Sequence, residues 1–280
     1  MLSKNLIWLV SYPKSGNTWV RIFLANYLSK SLQPVDINKI KSSTISSSRK
    51  VFDRYSAVLS SDLKTEEIDN LRPHVYIKMS EEENRIKFIK THDAYSLNDN
   101  NLPIFPTEIS KGVIHIVRHP LDVAVSFAFH SNISIEKSIQ NLNNHKKTLA
   151  SNKKKLTNQL RQVLDTWSNH YLSWENAPIP RLLIRYEDLL DRPEEMFKSI
   201  VEFCDISLEE EKLLSSIKHS SFNQLKTQED QNGFREKPIK SSKFFRSGKS
   251  GAWQNYIPKT LALEFYEKNV SVMKKLGYYF

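Results

Sequence analysis

The sequence predicts an α/β protein: a single domain over residues 1–280, with a central parallel sheet flanked by helices and a P-loop-like nucleotide-binding turn. Three observations predict it. Four apolar runs of strand length, at Leu6–Val10, Ile86–Lys90, Gly112–Val117 and Arg181–Arg185, are separated by segments long enough for helices. That alternation is the pattern of a parallel sheet covered by crossovers. The first run breaks into a turn containing Gly16, which opens an amphipathic helix carrying Val20, Ile22, Phe23, Leu24, Tyr27 and Leu28. Lastly, no internal repeat and no Gly/Ser linker divides the chain.

The elements follow in order. In Leu6–Trp19, LIWLVSYPKSGNTW, a strand passes through Pro13, Lys14, Ser15 and Gly16 to a helix N-terminus. Backbone N–H groups and the positive end of the helix dipole converge there, a geometry suited to phosphate. The turn is not a kinase loop of the GxxxxGK[ST] type. Its glycine precedes Asn17-Thr18, and the lysine stands two residues upstream, at Lys14. Ile40–Lys50, rich in serine, reads as a loop, and Thr65–Leu71 as an acidic amphipathic helix. Pro120 suits the first position of a helix after the third strand, with Asp122 complementing its dipole. Leu160–Trp174 reads as helix, Pro193 opens another that runs to about Phe203, and Ser207–Ile217 is a further one. Gln228–Gly251 reads as a long loop, a length that in a compact domain usually marks function or disorder.

Composition bounds the function. With 39% hydrophobic residues and 14 Phe the chain can build a core, which excludes global disorder. No apolar run approaches the roughly 20 residues that cross a bilayer. The N-terminal apolar segment is too short for a signal peptide, so a soluble cytoplasmic protein without membrane insertion is expected. The single cysteine, Cys204, permits no internal disulfide and lies among Ile200, Val201 and Phe203, as a buried thiol would. A net charge of +10 favours anionic partners. Much of it sits in Lys146, Lys147, Lys153, Lys154 and Lys155, which read first as a solvated helix face, with nucleic acid or an acidic membrane as the other option. No metal-ligand spacing occurs.

In a parallel α/β sheet, ligands bind beyond the carboxyl ends of the strands. Ser11–Thr18, Lys90-Thr91-His92, Arg118-His119-Pro120 and Tyr186-Glu187-Asp188 occupy those ends here. A histidine in that position can take a proton from an attacking hydroxyl. Lys90, two residues earlier in extended chain, would face the same side and neutralise oxygens of a transferred group. Arg118 offers an always-charged fork for phosphate and Ser126 a further donor, although a capping arginine and an ordinary helix serine read equally well. Trp19 and Tyr186 suit either the core or a ring-stacking ligand. Asp93 could orient His92 but reads better as solvated. FFRSGKSGAWQNY at 244–256 sets basic residues between glycines, as a phosphate-covering lid would, with Trp253 as its anchor.

These motifs resemble, in order from Leu6 to Trp253, those of the sulfotransferases that use 3′-phosphoadenosine 5′-phosphosulfate (PAPS). YPKSGNTW is similar to their 5′-phosphosulfate loop, and Lys90-Thr91-His92 to their KTH signature, whose histidine is the general base. RHPLDVAVS is similar to RNPxDVAVS, which implies that Arg118 and Ser126 hold the 3′-phosphate; His119 replaces the asparagine common in animal enzymes. Tyr186 matches the tyrosine that contacts adenine, Trp19 a tryptophan stacked on the purine, and Ser221 and Phe222 of HSSFNQL a segment closing over adenine. Arg246, Ser247 and Gly248 fall on the first positions of RKGxxGDW, which finishes the 3′-phosphate site. Ser247 replaces its lysine, a loss that Lys249 could offset, and Ala252 replaces its aspartate.

The resemblance implies transfer of a sulfuryl group from PAPS to a hydroxyl of a small-molecule, natural-product or glycan acceptor by in-line displacement. His92 would be the base, Lys14 would stabilise the bridging oxygen and Lys90 the sulfuryl oxygens. Lys14, Ser15, Gly16, Asn17 and Thr18 would hold the 5′-phosphate. No metal is implied, and adenosine 3′,5′-bisphosphate (PAP) would be the product. A P-loop-like kinase and a non-enzymatic nucleic-acid-binding protein are the alternative readings. The acceptor is expected among 40–58, 93–105 and 129–149, with Tyr55, Tyr95, Phe105 and Phe129 as scattered aromatics. No dimer motif is recognisable near the C-terminus.

Overall fold

A computed structural model describes residues 3–151, 156–238 and 243–280. Lys153, Lys154 and Lys155 lie outside the described residues, so the lysine run is described only at its start, where Lys146 is exposed. In chain order the first elements are β1 (Leu6–Ser11), α1 (Asn17–Tyr27), β2 (Ser43–Ile45), α2 (Arg49–Ser56) and α3 (Thr65–Glu81). Then come β3 (Lys87–Thr91), β4 (Ser110–Val117), α4 (Pro120–Ser131), α5 (Ile135–Leu142), β5 (Thr148–Leu149) and β6 (Gln162–Val163). The chain continues through α6 (Trp167–Glu175), β7 (Arg181–Arg185), α7 (Tyr186–Asp191) and α8 (Pro193–Phe203). It closes with α9 (Glu210–His219), α10 (Phe222–Asn232) and α11 (Lys259–Lys275).

The protein is α/β, with a central parallel sheet and helices between its strands. The strand order is β2-β3-β1-β4-β7. β1 and β3 pair in parallel with Leu9 opposite Lys90 and Val10 opposite Thr91, so the two strands end side by side. All four predicted strands form, with β1 and β4 the most buried: every residue of β1 from Leu6 to Ser11 is buried, whereas in β7 only Ile184 is fully buried.

Four sequence expectations need correction. The serine-rich stretch at 40–50 is not all loop: it contains β2 and the start of α2. The helix predicted at Thr65–Leu71 runs on to Glu81, through Pro73. Ile68, Val75, Tyr76 and Met79 recur at helical spacing and pack into the core, which outweighs the roughly 3 kcal/mol that an interior proline costs. The helix predicted over 160–174 begins only at Trp167, capped by Thr166, whose hydroxyl accepts from Asn169 N at 3.0 Å. Residues 162–163 instead form β6, antiparallel to β5. Likewise, α10 takes the predicted loop at 228–251 as far as Asn232.

The chain divides into two compact units. The first comprises Met1–Tyr12, Thr44–His115 and Asn144–Leu182. Its core joins Leu6, Trp8 and Val10 of β1 to Val75 and Tyr76 of α3 and to Phe105 and Trp174. Trp8 meets Tyr76 and Phe105 edge-on at 5.1 and 5.0 Å. Phe105, expected near an acceptor, is therefore a core residue, 0% exposed. The second unit comprises Pro13–Ser43, Ile116–Asn143 and Leu183–Phe280. One of its clusters sets Ile22, Ile37, Leu225, Phe234 and Phe245 against Trp19, Phe222 and Phe244. Cys204 is buried, as expected.

Candidate active site

The phosphate-loop turn is made by backbone conformation. Lys14 and Gly16 both have positive φ, +72° and +107°. A run containing left-handed residues turns successive N–H groups toward one point, and at Asn17 a helix begins whose first N–H groups have no intrahelical acceptor. Glycine is required at 16 twice over: a Cβ there would lie 2.8 Å from the Tyr186 ring. Lysine at 14 has no such excuse, since a left-handed non-glycine residue is strained by about 1–2 kcal/mol. Its ammonium nitrogen lies 3.3 Å from His130 Nδ1 and 4.0 Å from the Phe244 ring centroid. Ser15 is buried, and its hydroxyl has no partner among the described residues.

Arg118, at the end of β4, ties this turn to the glycine-rich segment. Nη1 donates to Lys14 O at 3.2 Å and Nη2 to Lys249 O at 2.9 Å. Its guanidinium lies 4.4 Å from the Tyr186 ring centroid, and its buried Nε has no partner among the described residues. Tyr186 meets Trp19 edge-on at 5.8 Å, and burial raises the proton affinity of its phenol, so it stays neutral. Trp19 Nε1 is another buried donor without a partner among the described residues. A buried unmade donor is costly, so Arg118 Nε and Trp19 Nε1 mark positions where a polar ligand would be stabilised. Ser126 is half-buried on α4.

Ser221 stands at the N-cap of α10, and Phe222 begins that helix. Gly248, at φ +61°, lies against Phe222: a Cβ there would be 2.4 Å from the ring. Gly248→Ala is expected to destabilise the protein by about 1–2 kcal/mol through left-handed strain and this overlap, measured as a lowered Tm in thermal unfolding. Ser247 is half-buried. The exposed Arg246 guanidinium is 4.3 Å from the Phe129 ring centroid and 5.6 Å from that of Tyr256. Two buried carboxylates hold the ends of the segment. Glu229 accepts from Phe244 N at 2.7 Å and Phe245 N at 2.8 Å. Asp122 accepts from Gly251 N at 2.7 Å and Trp253 N at 3.0 Å.

His92 belongs to the first unit, just past β3. Its Nδ1 is 2.7 Å from Ser11 O and 3.2 Å from Ser11 Oγ. A carbonyl oxygen only accepts, so Nδ1 carries a proton, which in the neutral ring leaves the lone pair on Nε2. The backbone here is held on both sides: His170 Nε2 lies 3.1 Å from His92 O, and Trp174 Nε1 donates to Asp93 O at 2.8 Å. Burial lowers the His170 pKa to about 4, which keeps the ring neutral at physiological pH. Lys90, half-buried in β3, shares an extended stretch with His92, and its carbonyl accepts from Ser46 N at 2.9 Å.

Asp93 is not solvated. It is 2% exposed, accepts from Arg72 Nη2 at 2.8 Å and Nη1 at 3.3 Å, and also accepts from Val163 N at 3.0 Å. Sequence reasoning missed this ion pair, the Ser11 acceptor, the Asp122 and Glu229 carboxylates, and the His130 and Phe244 neighbours of Lys14. His130 and Lys14 are 116 positions apart, and no local pattern links them. For Asp122 the signal was present, an acid in the first turn of α4, but it pointed only to the helix dipole.

Among the described residues, no group of three or more His, Cys, Asp or Glu could hold a metal, and no helix is long and apolar enough to cross a membrane. A family model described as Sulfotransferase domain matches residues 4–277. Sulfotransferase 1B1 of Mus musculus is 27% identical, with the match covering 95% of this chain and 82% of that protein. Luciferin sulfotransferase of Photinus pyralis is 25% identical over 93% of this chain and 70% of its own length. Among solved structures, mouse sulfotransferase SULT7A1 complexed with PAP superposes with a TM-score of 0.60 at 21% identity, covering 97% of this chain and 85% of that one, which shows a shared fold.

Proposed function

This chain belongs to the sulfotransferase domain family and is a sulfotransferase enzyme, and we propose that it moves the sulfuryl group of PAPS to a hydroxyl of a small-molecule, natural-product or glycan acceptor. The observation that carries the donor assignment is the placement of Arg118. It spans the Lys14 and Lys249 carbonyls, lies on Tyr186 and keeps a buried Nε without a partner among the described residues. A multiply charged nucleotide fits these groups. Arg118 and Ser126 would hold the 3′-phosphate beneath Arg246, Ser247 and Gly248. Trp19, Tyr186, Ser221 and Phe222 would hold adenine. The N–H groups of Ser15–Thr18 and the Thr18 hydroxyl would hold the 5′-phosphate.

In the reaction, His92 Nε2 takes the proton of the acceptor hydroxyl as its oxygen attacks sulfur in line. Lys14 stabilises charge growing on the oxygen that leaves with PAP, and Lys90 the sulfuryl oxygens. Positioning and fixed charge supply the catalysis. The name of the luciferin sulfotransferase supports a small-molecule acceptor. A cytoplasmic setting is part of the same proposal, supported by the lone buried cysteine.

Arg118→Ala is expected to weaken PAP by about 10- to 100-fold, the range of a lost charge-assisted hydrogen bond. Binding of AMP, which lacks the 3′-phosphate, should change far less. Calorimetric titration of both ligands checks this, and equal losses would overturn the 3′-phosphate assignment.

A further inference from the structure

We propose that Asp122 is a positioning residue for the donor: it fixes the segment 246–253 as a lid and so sets the affinity for the 3′-phosphate. The inference rests on the donor reading above and adds a residue to it. The stretch Arg246–Tyr256, RSGKSGAWQNY, contains no acidic residue of its own. Its backbone nevertheless meets a carboxylate, because Asp122 reaches it from the first turn of α4. One oxygen accepts from Gly251 N at 2.7 Å and the other from Trp253 N at 3.0 Å.

The two donors start a short 3-10 turn, Ala252–Asn255, entered through Gly251 at φ +75°. Asp122 thus caps that turn from another element, as an N-cap side chain does from within. It is 2% exposed, so these are charge-assisted bonds sheltered from water.

Two neighbours on the same helix start reinforce the contact. The Trp253 ring lies parallel to His119, with centroids 5.4 Å apart and planes 5° from parallel. Burial lowers the His119 pKa to about 4, so the stack is between neutral rings. Arg118 holds Lys249 O at 2.9 Å. Residues 118, 119 and 122 therefore grip the segment at 249, 251 and 253. The residue that would bind phosphate is fixed in the same turn of chain as the residue that fixes the lid. Loss of Asp122 should consequently affect only ligands that use the 3′-phosphate.

Asp122→Asn keeps the shape but turns one acceptor into a donor, so one of the two N–H groups loses its partner. In the full-length variant the PAP dissociation constant should rise about tenfold. AMP binding should stay within about twofold, and kcat at saturating PAPS and the acceptor KM should be unchanged. Hydrogen exchange at the Gly251 and Trp253 amides should quicken in the ligand-free variant. Wild-type PAP affinity, or equal loss for PAP and AMP, would overturn the proposal. Should the variant not fold, Trp253→Ala serves instead, with the same selective loss expected and wild-type PAP affinity overturning it. If the wild-type chain fails to bind PAP, the donor reading falls, while amide exchange in Asp122→Asn still judges the lid contact by itself.

Discussion

Alanine in place of His92 is expected to lower kcat by about 10²- to 10⁴-fold, the usual contribution of a positioned general base, with PAP affinity close to that of the wild type. The expectation rests on one orientation. Ser11 O accepts the Nδ1 proton at 2.7 Å, which leaves Nε2 as the nitrogen that would take the acceptor proton in the proposed reaction. Turnover with a responsive acceptor, measured beside PAP titration, separates the outcomes: a wild-type kcat would remove His92 from the reaction. A parallel loss of PAP affinity would make it a donor ligand. Because a carbonyl fixes the tautomer, Ser11→Ala should preserve most of the activity that His92→Ala removes.

Methionine at Arg72 is expected to destabilise the protein by about 3–5 kcal/mol, the typical consequence of stranding one partner of a buried ion pair. Arg72 is 1% exposed and Asp93 2%. Burial alone would push the guanidinium toward its neutral form, but the Asp93 carboxylate overrides this and keeps it charged. Urea unfolding reads the loss as a lower midpoint at unchanged slope. Adding Asp93→Asn to Arg72→Met should recover part of the loss, since no uncompensated charge remains; a double variant no better than the single would argue against the pair as the cause. The pair bears on activity as well, because Asp93 is the residue after His92 and its carbonyl is fixed by Trp174.

The strands and the phosphate turn were legible because each depends on short-range signals: apolar runs for β1, β3, β4 and β7, and a glycine before a helix at 16–17. Pro193–Phe203 was legible for the same reason, through proline at the first helical position. What was hidden depends on distant partners. Serine-rich β2 is held by pairing rather than propensity: its neighbour Ser46 donates to Lys90 O. α3 crosses Pro73 because Val75, Tyr76 and Met79 are buried. At the site, the residue types at His92, Arg118 and Tyr186 carried chemistry that could be named from sequence. The partners that orient them could not be named. Ser11 acts through a carbonyl that every residue possesses, and Asp122 through amides 129 and 131 positions away.

The positive φ of Lys14 has a practical consequence for anyone engineering this protein. Routine stabilisation replaces residues held in left-handed conformations with glycine, and such a survey would select position 14 alongside Ala57, Asn101, Asn132, Ala150, Asp165 and Asp205. At the other positions no proposed chemistry is lost. At Lys14 the more robust backbone would come without the ammonium group. On the role proposed for Lys14, a variant library ranked by heat resistance alone would therefore enrich a sturdier protein that has given up its turnover.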